Sequence, residues 1–140
     1  MTTAIDTNVI VSSWDSNDAL NSAATAALDS ALARGPLIVA APVYAELLAF
    51  PGRTEAFLDY FFKETSVTVD WNMDESVWRL TGRAFQAHAA RRKVRRHSGP
   101  RRILADFLIG AHALRRGYTL LTMDNEIYRA GFPRLPLLEI

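Results

Sequence analysis

The sequence predicts an α/β layer fold with a mostly parallel central sheet. Short apolar runs alternate with longer segments whose apolar residues recur every three or four positions, the pattern of strands alternating with helices. The clearest run, Leu37–Ala40, is wholly apolar, as expected for a parallel strand buried on both faces. With 140 residues, 49% of them apolar, we expect one domain spanning residues 1–140.

The first strand is predicted at Ala4–Ile5. It is expected to continue in Val9–Val11 beyond a short turn around residues 6–8, because both runs are apolar. Alanine and leucine at helical spacing then predict a helix over Asp18–Arg34, with Asp18 as its N-cap and Gly35 beyond its end.

A second helix is predicted after the Leu37–Ala40 strand. Pro42 suits the first turn of a helix that carries Glu46, and Pro51–Gly52 is expected to end it. The next helix, Thr54–Glu64, has a wide apolar stripe formed by Phe57, Leu58, Phe61 and Phe62. The width of this stripe leaves room for a groove that receives a second copy or another protein.

The second half of the chain is predicted to hold two more strands, two helices and a short closing strand. In order, these are a strand at Val67–Val69, a helix capped by Asn72 or Asp74 and running to about Arg92, a loop at Lys93–Pro100, a helix at Arg102–Arg116, a strand at Tyr118–Thr122 and a strand at Leu137–Ile140.

Four acidic residues stand beside apolar segments. Asp6 and Asp124 follow predicted strands, and Glu46 and Asp106 lie early in predicted helices. Because ligands of parallel sheets bind beyond the carboxyl ends of the strands, all four can reach one edge of the sheet. Carboxylates are rarely buried unless they are paired or bind a metal, so the pattern indicates one acidic pocket that holds a cation.

Each acid alone also has a structural interpretation. Asp6, Asp106 and Asp124 could cap turns or helices, and Glu46 could favour the positive end of a helix dipole. The joint pattern favours chemistry, because independent caps need not converge. Oxygen ligands suit Mg²⁺ or Mn²⁺, and without an evident nucleophilic serine–histidine pair or cysteine we expect in-line attack by metal-bound water.

These motifs resemble those of the PIN-domain nucleases, and the chain order is most similar to the VapC toxins of toxin–antitoxin pairs. The resemblance rests on Asp6-Thr7-Asn8, on Glu46 in Tyr-Ala-Glu-Leu, on Asp106 in Leu-Ala-Asp-Phe-Leu-Ile and on Thr122-Met123-Asp124. It implies a PIN-like three-layer α/β/α fold, metal-dependent cleavage of RNA, a homodimer and an inhibitory antitoxin.

By this resemblance, Asp6, Glu46, Asp106 and Asp124 would form the quartet that binds Mg²⁺ or Mn²⁺. Asn8 and Thr122 would be supporting polar residues. Met123 departs from the polar or basic residue that many relatives carry between the threonine and the aspartate, so we assign it no role toward the substrate. Glu46 could be a ligand, a residue that orients water or a general base.

A basic cluster without acids lies between residues 91 and 102. Its members are Arg91, Arg92, Lys93, Arg95, Arg96, Arg101 and Arg102. The cluster could be a solvated loop, but beside an acidic site it would attract a polyanion, and we interpret it as an RNA-contacting surface.

The remaining composition restricts cofactors and location. The chain has no cysteine, which excludes disulfides and thiolate metal sites and agrees with a cytoplasmic protein. Neither a signal peptide nor a membrane-spanning run is evident.

Two other functions agree with parts of the sequence. A non-catalytic RNA- or protein-binding module on the same fold would not need all four acids. A phospho-signalling receiver domain would need a lysine near the last strands. The only lysines are Lys63 and Lys93, which disfavours this function.

Overall fold

The structure, a computed structural model, describes the backbone of residues 1–95 and 104–140 and the side chains of residues 1–92 and 104–140. The described residues form five strands and seven helices. The strands are β1 (Thr3–Ile5), β2 (Leu37–Ala40), β3 (Val67–Asp70), β4 (Thr119–Thr122) and β5 (Leu137–Glu139). The helices are α1 (Thr7–Trp14), α2 (Asn21–Arg34), α3 (Ala41–Leu48), α4 (Glu55–Thr65), α5 (Glu75–Arg95), α6 (Leu104–Arg116) and α7 (Asn125–Gly131).

The five strands form one sheet in the order β3-β2-β1-β4-β5, and every pairing is parallel. The predicted mostly parallel α/β layer fold is therefore confirmed, with helices covering the sheet as outer layers. Successive strands proceed outward from β1 through β2 to β3, and the chain then crosses back to place β4 on the other side of β1. This reversal makes the carboxyl ends of β1 and β4 the natural position for a ligand.

The predicted continuation of the first strand is wrong. Val9–Val11 lie in α1, which begins directly after Asp6 because the carboxylate of Asp6 accepts the backbone N–H of Thr7 and caps the helix. Val9 and Ile10 are completely buried in the core. β-branched residues favour strands only weakly, and here burial of this helix face outweighs that preference.

Two helix boundaries also differ from the prediction. α2 begins at Asn21, because the carboxylate of Asp18 accepts the backbone N–H of Leu20 in a turn that precedes the helix. α3 ends at Leu48, before the Pro51–Gly52 turn.

The caps of α4 and α5 confirm their predicted starts. The hydroxyl of Thr54 accepts the N–H of Phe57, and the carboxylate of Asp74 accepts the N–H of Val77. α5 continues to Arg95, so it runs beyond the predicted end near Arg92. Residues 96–103, which include most of the predicted loop and the predicted start of the next helix at Arg102, lie outside the described residues.

A polar network joins the end of β3 to α6. Buried His112 contacts Asp70 through Nε2 at 2.8 Å, and Arg116 contacts Asp74 at 3.1 Å. Burial raises the pKa of Asp70, but the hydrogen bond and charge of His112 and Arg116 outweigh it and lower the pKa. His112 therefore has a structural role. Among the described residues, no helix has the length and apolar character needed to cross a bilayer.

Gly110 allows α6 to pack against the segment that follows α7. A Cβ atom at Gly110 would lie 2.4 Å from a ring carbon of Phe132, whose side chain is buried. We predict that Gly110→Ala lowers the free energy of unfolding by about 1–3 kcal/mol, because the buried ring must shift. Urea denaturation measures this change.

Gly82→Ala is the matched control, since Gly82 also lies within a helix but nothing approaches its Cβ position within 4 Å. Alanine there should leave the protein equally stable or stabilise it by up to about 1 kcal/mol. Equal effects of the two substitutions would contradict the packing argument.

Candidate active site at the carboxyl edge of the sheet

All four acids singled out in the sequence line one cavity of about 310 Å³ at the carboxyl edge of the sheet. Each comes from a different part of the chain: the end of β1, α3, α6 and the end of β4. The complete lining is Asp6, Thr7, Asn8, Val11, Ser12, Glu46, Phe50, Asp106 and Asp124. No cationic side chain is among these described residues, so the cavity is strongly acidic.

Asp6 is the most buried of the four acids. Its side chain follows β1 directly, and the residue is 4% exposed. Oδ1 accepts the backbone N–H of Thr7 at 2.8 Å, and Oδ2 accepts the hydroxyl of Thr122 at 2.7 Å. Both carboxylate oxygens are therefore oriented by groups of the fold itself.

Burial raises the pKa of Asp6 to about 6. Hydrogen bonds from Thr122 and Thr7 favour the ionised form, whereas the charge of Glu46 opposes it. The buried hydroxyl of Tyr128 lies near Asp6 and also lowers its pKa, although the hydroxyl has no partner in good hydrogen-bond geometry. Burial and the negative charges around it in turn raise the pKa of Tyr128, so its hydroxyl stays protonated.

Glu46 is positioned by Thr7. The Thr7 hydroxyl donates a 2.7 Å hydrogen bond to Oε1 of Glu46, which links the first turn of α1 to α3. Glu46 is the sixth of eight residues in α3, and that helix has no acid in its first turn. The alternative that Glu46 favours the positive end of a helix dipole is therefore wrong.

Thr122 connects the two acids that follow neighbouring strands. Its hydroxyl donates to Asp6 and accepts the backbone N–H of Asp124 at 3.0 Å. Asp124 stands at the N-cap position of α7, but its side chain makes no capping hydrogen bond there. Capping therefore does not explain this carboxylate, which instead lines the cavity.

The other predicted site residues are also at or beside the cavity. Asp106 lies in the first turn of α6. Asn8 lines the cavity, and its Oδ1 accepts the backbone N–H of Met123 at 3.4 Å. Met123 itself packs against the hydrophobic core. The structure thus brings the quartet, Asn8 and Thr122 together, while their roles in catalysis stay predictions.

Five further residues belong to this neighbourhood and have no role assigned from the sequence. Thr7, Val11, Ser12 and Phe50 line the cavity, and Tyr128 approaches Asp6 from α7. The position of Thr7 within the Asp-Thr-Asn motif was the one available signal. The others depend on α1 being a helix, on where the turn after α3 lies and on where α7 packs, which the sequence did not indicate.

The basic cluster is only partly visible. Arg91 and Arg92 are half-buried near the end of α5. Lys93 and Arg95 belong to the helix by their backbone, but their side chains lie outside the described residues, as do Arg96, Arg101 and Arg102 entirely. Contact of this cluster with RNA stays a prediction.

The donor atoms of the cavity suit a hard divalent cation, because they are carboxylate, amide and hydroxyl oxygens. A buried carboxylate beside other acids also gains from a nearby positive charge. Within the described part of the chain, however, no three His, Cys, Asp or Glu side chains are grouped as a metal site. Mg²⁺ needs only one or two direct carboxylates and keeps several waters, so the residues fit such an ion.

The raised pKa of Asp6 predicts that Asp6→Asn stabilises the metal-free protein. The folded protein holds the Asp6 proton more tightly than the unfolded chain, so ionisation destabilises it as the pH rises from about 4 to about 6. In EDTA and above pH 6, the free energy of unfolding of Asp6→Asn should be higher than that of the original protein by up to about 3 kcal/mol.

This difference should vanish below about pH 4, where both the folded and the unfolded protein hold the proton. Asp59→Asn, at an exposed acid on α4, is the control for the substitution itself. Urea denaturation across this range measures the effect. A variant less stable than the original at every pH would show that the cap and the Thr122 hydrogen bond outweigh the cost of burial.

Solved structures share this fold over almost their whole length. VapBC2 from Rickettsia felis, bound to a promoter DNA fragment, has a TM-score of 0.73 at 18% identity and covers 99% of this chain and 98% of its own. VapBC-1 from nontypeable Haemophilus influenzae has a TM-score of 0.66 at 18% identity, with coverage of 99% and 98%.

A third similar structure is VapC20 from Mycobacterium tuberculosis, described as a toxin that cleaves the sarcin–ricin loop. Its TM-score is 0.59 at 19% identity, with coverage of 93% of this chain and 95% of its own. No curated protein sequence matches the chain.

The model of the PIN domain family matches residues 3–133, from the first strand to beyond the last helix. The match confirms the family resemblance that the motifs indicated. The protein belongs to the PIN domain family.

Proposed function

We propose that the protein is a divalent-metal-dependent endoribonuclease that acts as the toxin of a toxin–antitoxin pair in the cytoplasm. One observation carries the proposal. Four acids from four separate elements line one cavity, and the most buried of them has both carboxylate oxygens held by hydrogen bonds. Membership of the PIN domain family and the similarity in fold to VapC toxins support it.

Asp6, Asp106 and Asp124 would hold Mg²⁺ or Mn²⁺, with Glu46 as a further ligand or as the group that orients water. When bound, the ion supplies a Lewis acid that neutralises charge on the phosphate and promotes ionisation of water. The role of the protein is to orient the acidic side chains around the ion. Thr122 holds Asp6 and the backbone of Asp124, and Thr7 holds Glu46.

The hydrogen bond from Thr7 fixes the orientation of the Glu46 side chain beside the cavity. A glutamate held in this way could accept a proton from an attacking water, which is what a general base must do. Asp6 would remain a ligand, since both of its oxygens already accept hydrogen bonds within the fold.

RNA is the proposed substrate. VapC20 is described as cleaving the sarcin–ricin loop, an RNA target. The basic cluster of this chain would bind phosphates that the acidic cavity alone would repel. Affinity for RNA that is insensitive to salt would contradict this role of the cluster.

The proposed protein partner is an antitoxin, which we place at an apolar groove on the opposite edge of the sheet. This groove of about 400 Å³ is lined by Trp14, Leu28, Leu32 and Phe61 among others, and its polar lining includes Asp29 and Glu64. Phe61 comes from the aromatic stripe that the sequence indicated as a partner surface. An apolar segment with basic residues would match this groove in shape and charge.

α1 connects the groove to the acidic cavity. Its first turn carries Thr7 at the cavity, and its last residue, Trp14, lies in the groove. The helix has eight residues and is about 12 Å long, so an antitoxin segment anchored at the groove could reach the acids. We also propose a homodimer, which sedimentation equilibrium of the purified protein tests.

Asp6→Asn should reduce cleavage of RNA in Mg²⁺ by at least about 100-fold, because it removes a charged ligand. Thr122→Val should reduce the rate by about 10- to 100-fold, because Asp6 loses the hydroxyl that orients it. Incubation with total RNA and mapping of the new ends measures both rates, and excess EDTA should stop cleavage.

Asp59→Asn is the control, because Asp59 is exposed on α4 and does not line the cavity. Full activity of Asp6→Asn, or unchanged cleavage in EDTA, would refute the metal-dependent mechanism. RNA binding without cleavage under all metal conditions would instead support the alternative, a non-catalytic binding module on this fold.

Leu32→Asp should release the antitoxin without affecting cleavage. Leu32 is 44% exposed in the groove, and a carboxylate there would repel an apolar segment. Inhibition of cleavage by the cognate antitoxin measures the loss. Leu20→Asp is the matched control, since Leu20 is also 44% exposed but lies outside the groove. Equal inhibition of Leu32→Asp and the original protein would place the antitoxin elsewhere.

A further inference from the structure

The acidic cavity has one aromatic wall. Phe50 lines it together with the four acids, and the residue is 39% exposed. Single exposed apolar residues are common on proteins and need no explanation by themselves. Phe50 differs from the other exposed aromatic residues of the described chain because it lines the cavity that contains the acids.

Phe50 is also held firmly at its backbone. Its N–H donates to the carbonyl of Leu47 at 3.2 Å, and its carbonyl accepts the N–H of Arg53 at 3.2 Å. Among residues 1–92 and 104–140, no aromatic ring packs against Phe50, whereas nearby Phe57 and Phe61 both pack against Trp14. The turn after α3 thus holds the backbone of Phe50, and no other described aromatic side chain covers its ring.

An uncharged contact suits this location. A nucleotide that enters a cavity of carboxylates needs attraction beyond that of a bound cation. An arginine or lysine there would pair with the acids and compete with the cation for them. An aromatic ring attracts a base without adding charge, because every base has an apolar face that can stack.

We propose that Phe50 stacks on a nucleobase next to the scissile phosphate and thereby positions an unpaired stretch of RNA in the cavity. The inference rests on the proposed ribonuclease function and narrows its substrate class. A base inside a duplex is already stacked on both sides, so only an unpaired or extruded base can use the ring. Phe50 is therefore a positioning residue for single-stranded segments or loops.

A double-mutant cycle between the protein and the RNA tests the proposal. The cleavage site of a short single-stranded RNA is mapped first. Matched RNAs then carry an abasic nucleotide on one side or the other of the scissile phosphate. At one of these positions, loss of the base should slow single-turnover cleavage by the original protein by roughly 5- to 150-fold.

Phe50→Ala should cleave the intact RNA more slowly than the original protein by a similar factor. On the abasic RNA the variant should cleave almost as fast as the original protein, because the stacking partner is already absent. Phe50→Trp should retain cleavage and the dependence on the base. Tyr60→Ala is the control, because Tyr60 is 65% exposed on α4 and lies outside the cavity. It should cleave both RNAs at the original rates.

Phe50→Leu keeps an apolar side chain, and circular dichroism together with thermal unfolding shows whether each variant is folded. A folded Phe50→Leu that loses the dependence on the base supports stacking if Phe50→Ala is unstable. Independent, multiplicative losses from the protein and RNA changes would overturn the inference. Normal cleavage by Phe50→Ala with weakened inhibition by the antitoxin would overturn it as well and assign the ring to the protein partner.

The test separates this inference from the proposed function. If the original protein cleaves no RNA in Mg²⁺ or Mn²⁺, the ribonuclease proposal fails. If it cleaves RNA but Phe50 and the flanking base act independently, only the stacking role fails.

Discussion

The arrangement of this molecule depends on holding a buried carboxylate, that of Asp6, among other acids. Burial alone favours its protonated form, and the charge of Glu46 adds to this. The hydrogen bonds from the Thr7 backbone and the Thr122 hydroxyl partly offset that cost. Because Thr122 ends β4 and Asp6 follows β1, the direct pairing of these two strands is what makes this interaction possible.

The same strand pairing explains why the site lies at this edge. β2 and β3 lie on one side of β1, and β4 and β5 lie on the other. The connecting segments therefore diverge between β1 and β4, which leaves room for a ligand beyond the carboxyl ends of these strands. α3 and α6 supply Glu46 and Asp106 at this edge. A metal-free cavity of this kind trades stability for function, since the acids that would bind an ion repel one another without it.

The two edges of the sheet have different surfaces. The carboxyl edge has an acidic cavity with one aromatic wall, and the other edge has an apolar groove. α1 joins them, because its first turn lies at the cavity and its last residue lies in the groove. Phe50 would complement the cation in this arrangement, because stacking does not weaken as charges are screened, whereas phosphate contacts do.

The sequence by itself determined the α/β class, most strands and helices, and the four acids, because hydrophobic periodicity and helix capping are local properties. Thr54 and Asp74, for example, form the caps that the sequence predicts. The predicted strand at Val9–Val11 was wrong, because burial in the core, a non-local effect, favours a helix there. Only the tertiary structure decided which strands are neighbours, and hence that Thr122 meets Asp6, Thr7 meets Glu46 and Phe50 borders the acids. Those contacts join residues far apart in the chain, and no local pattern encodes them.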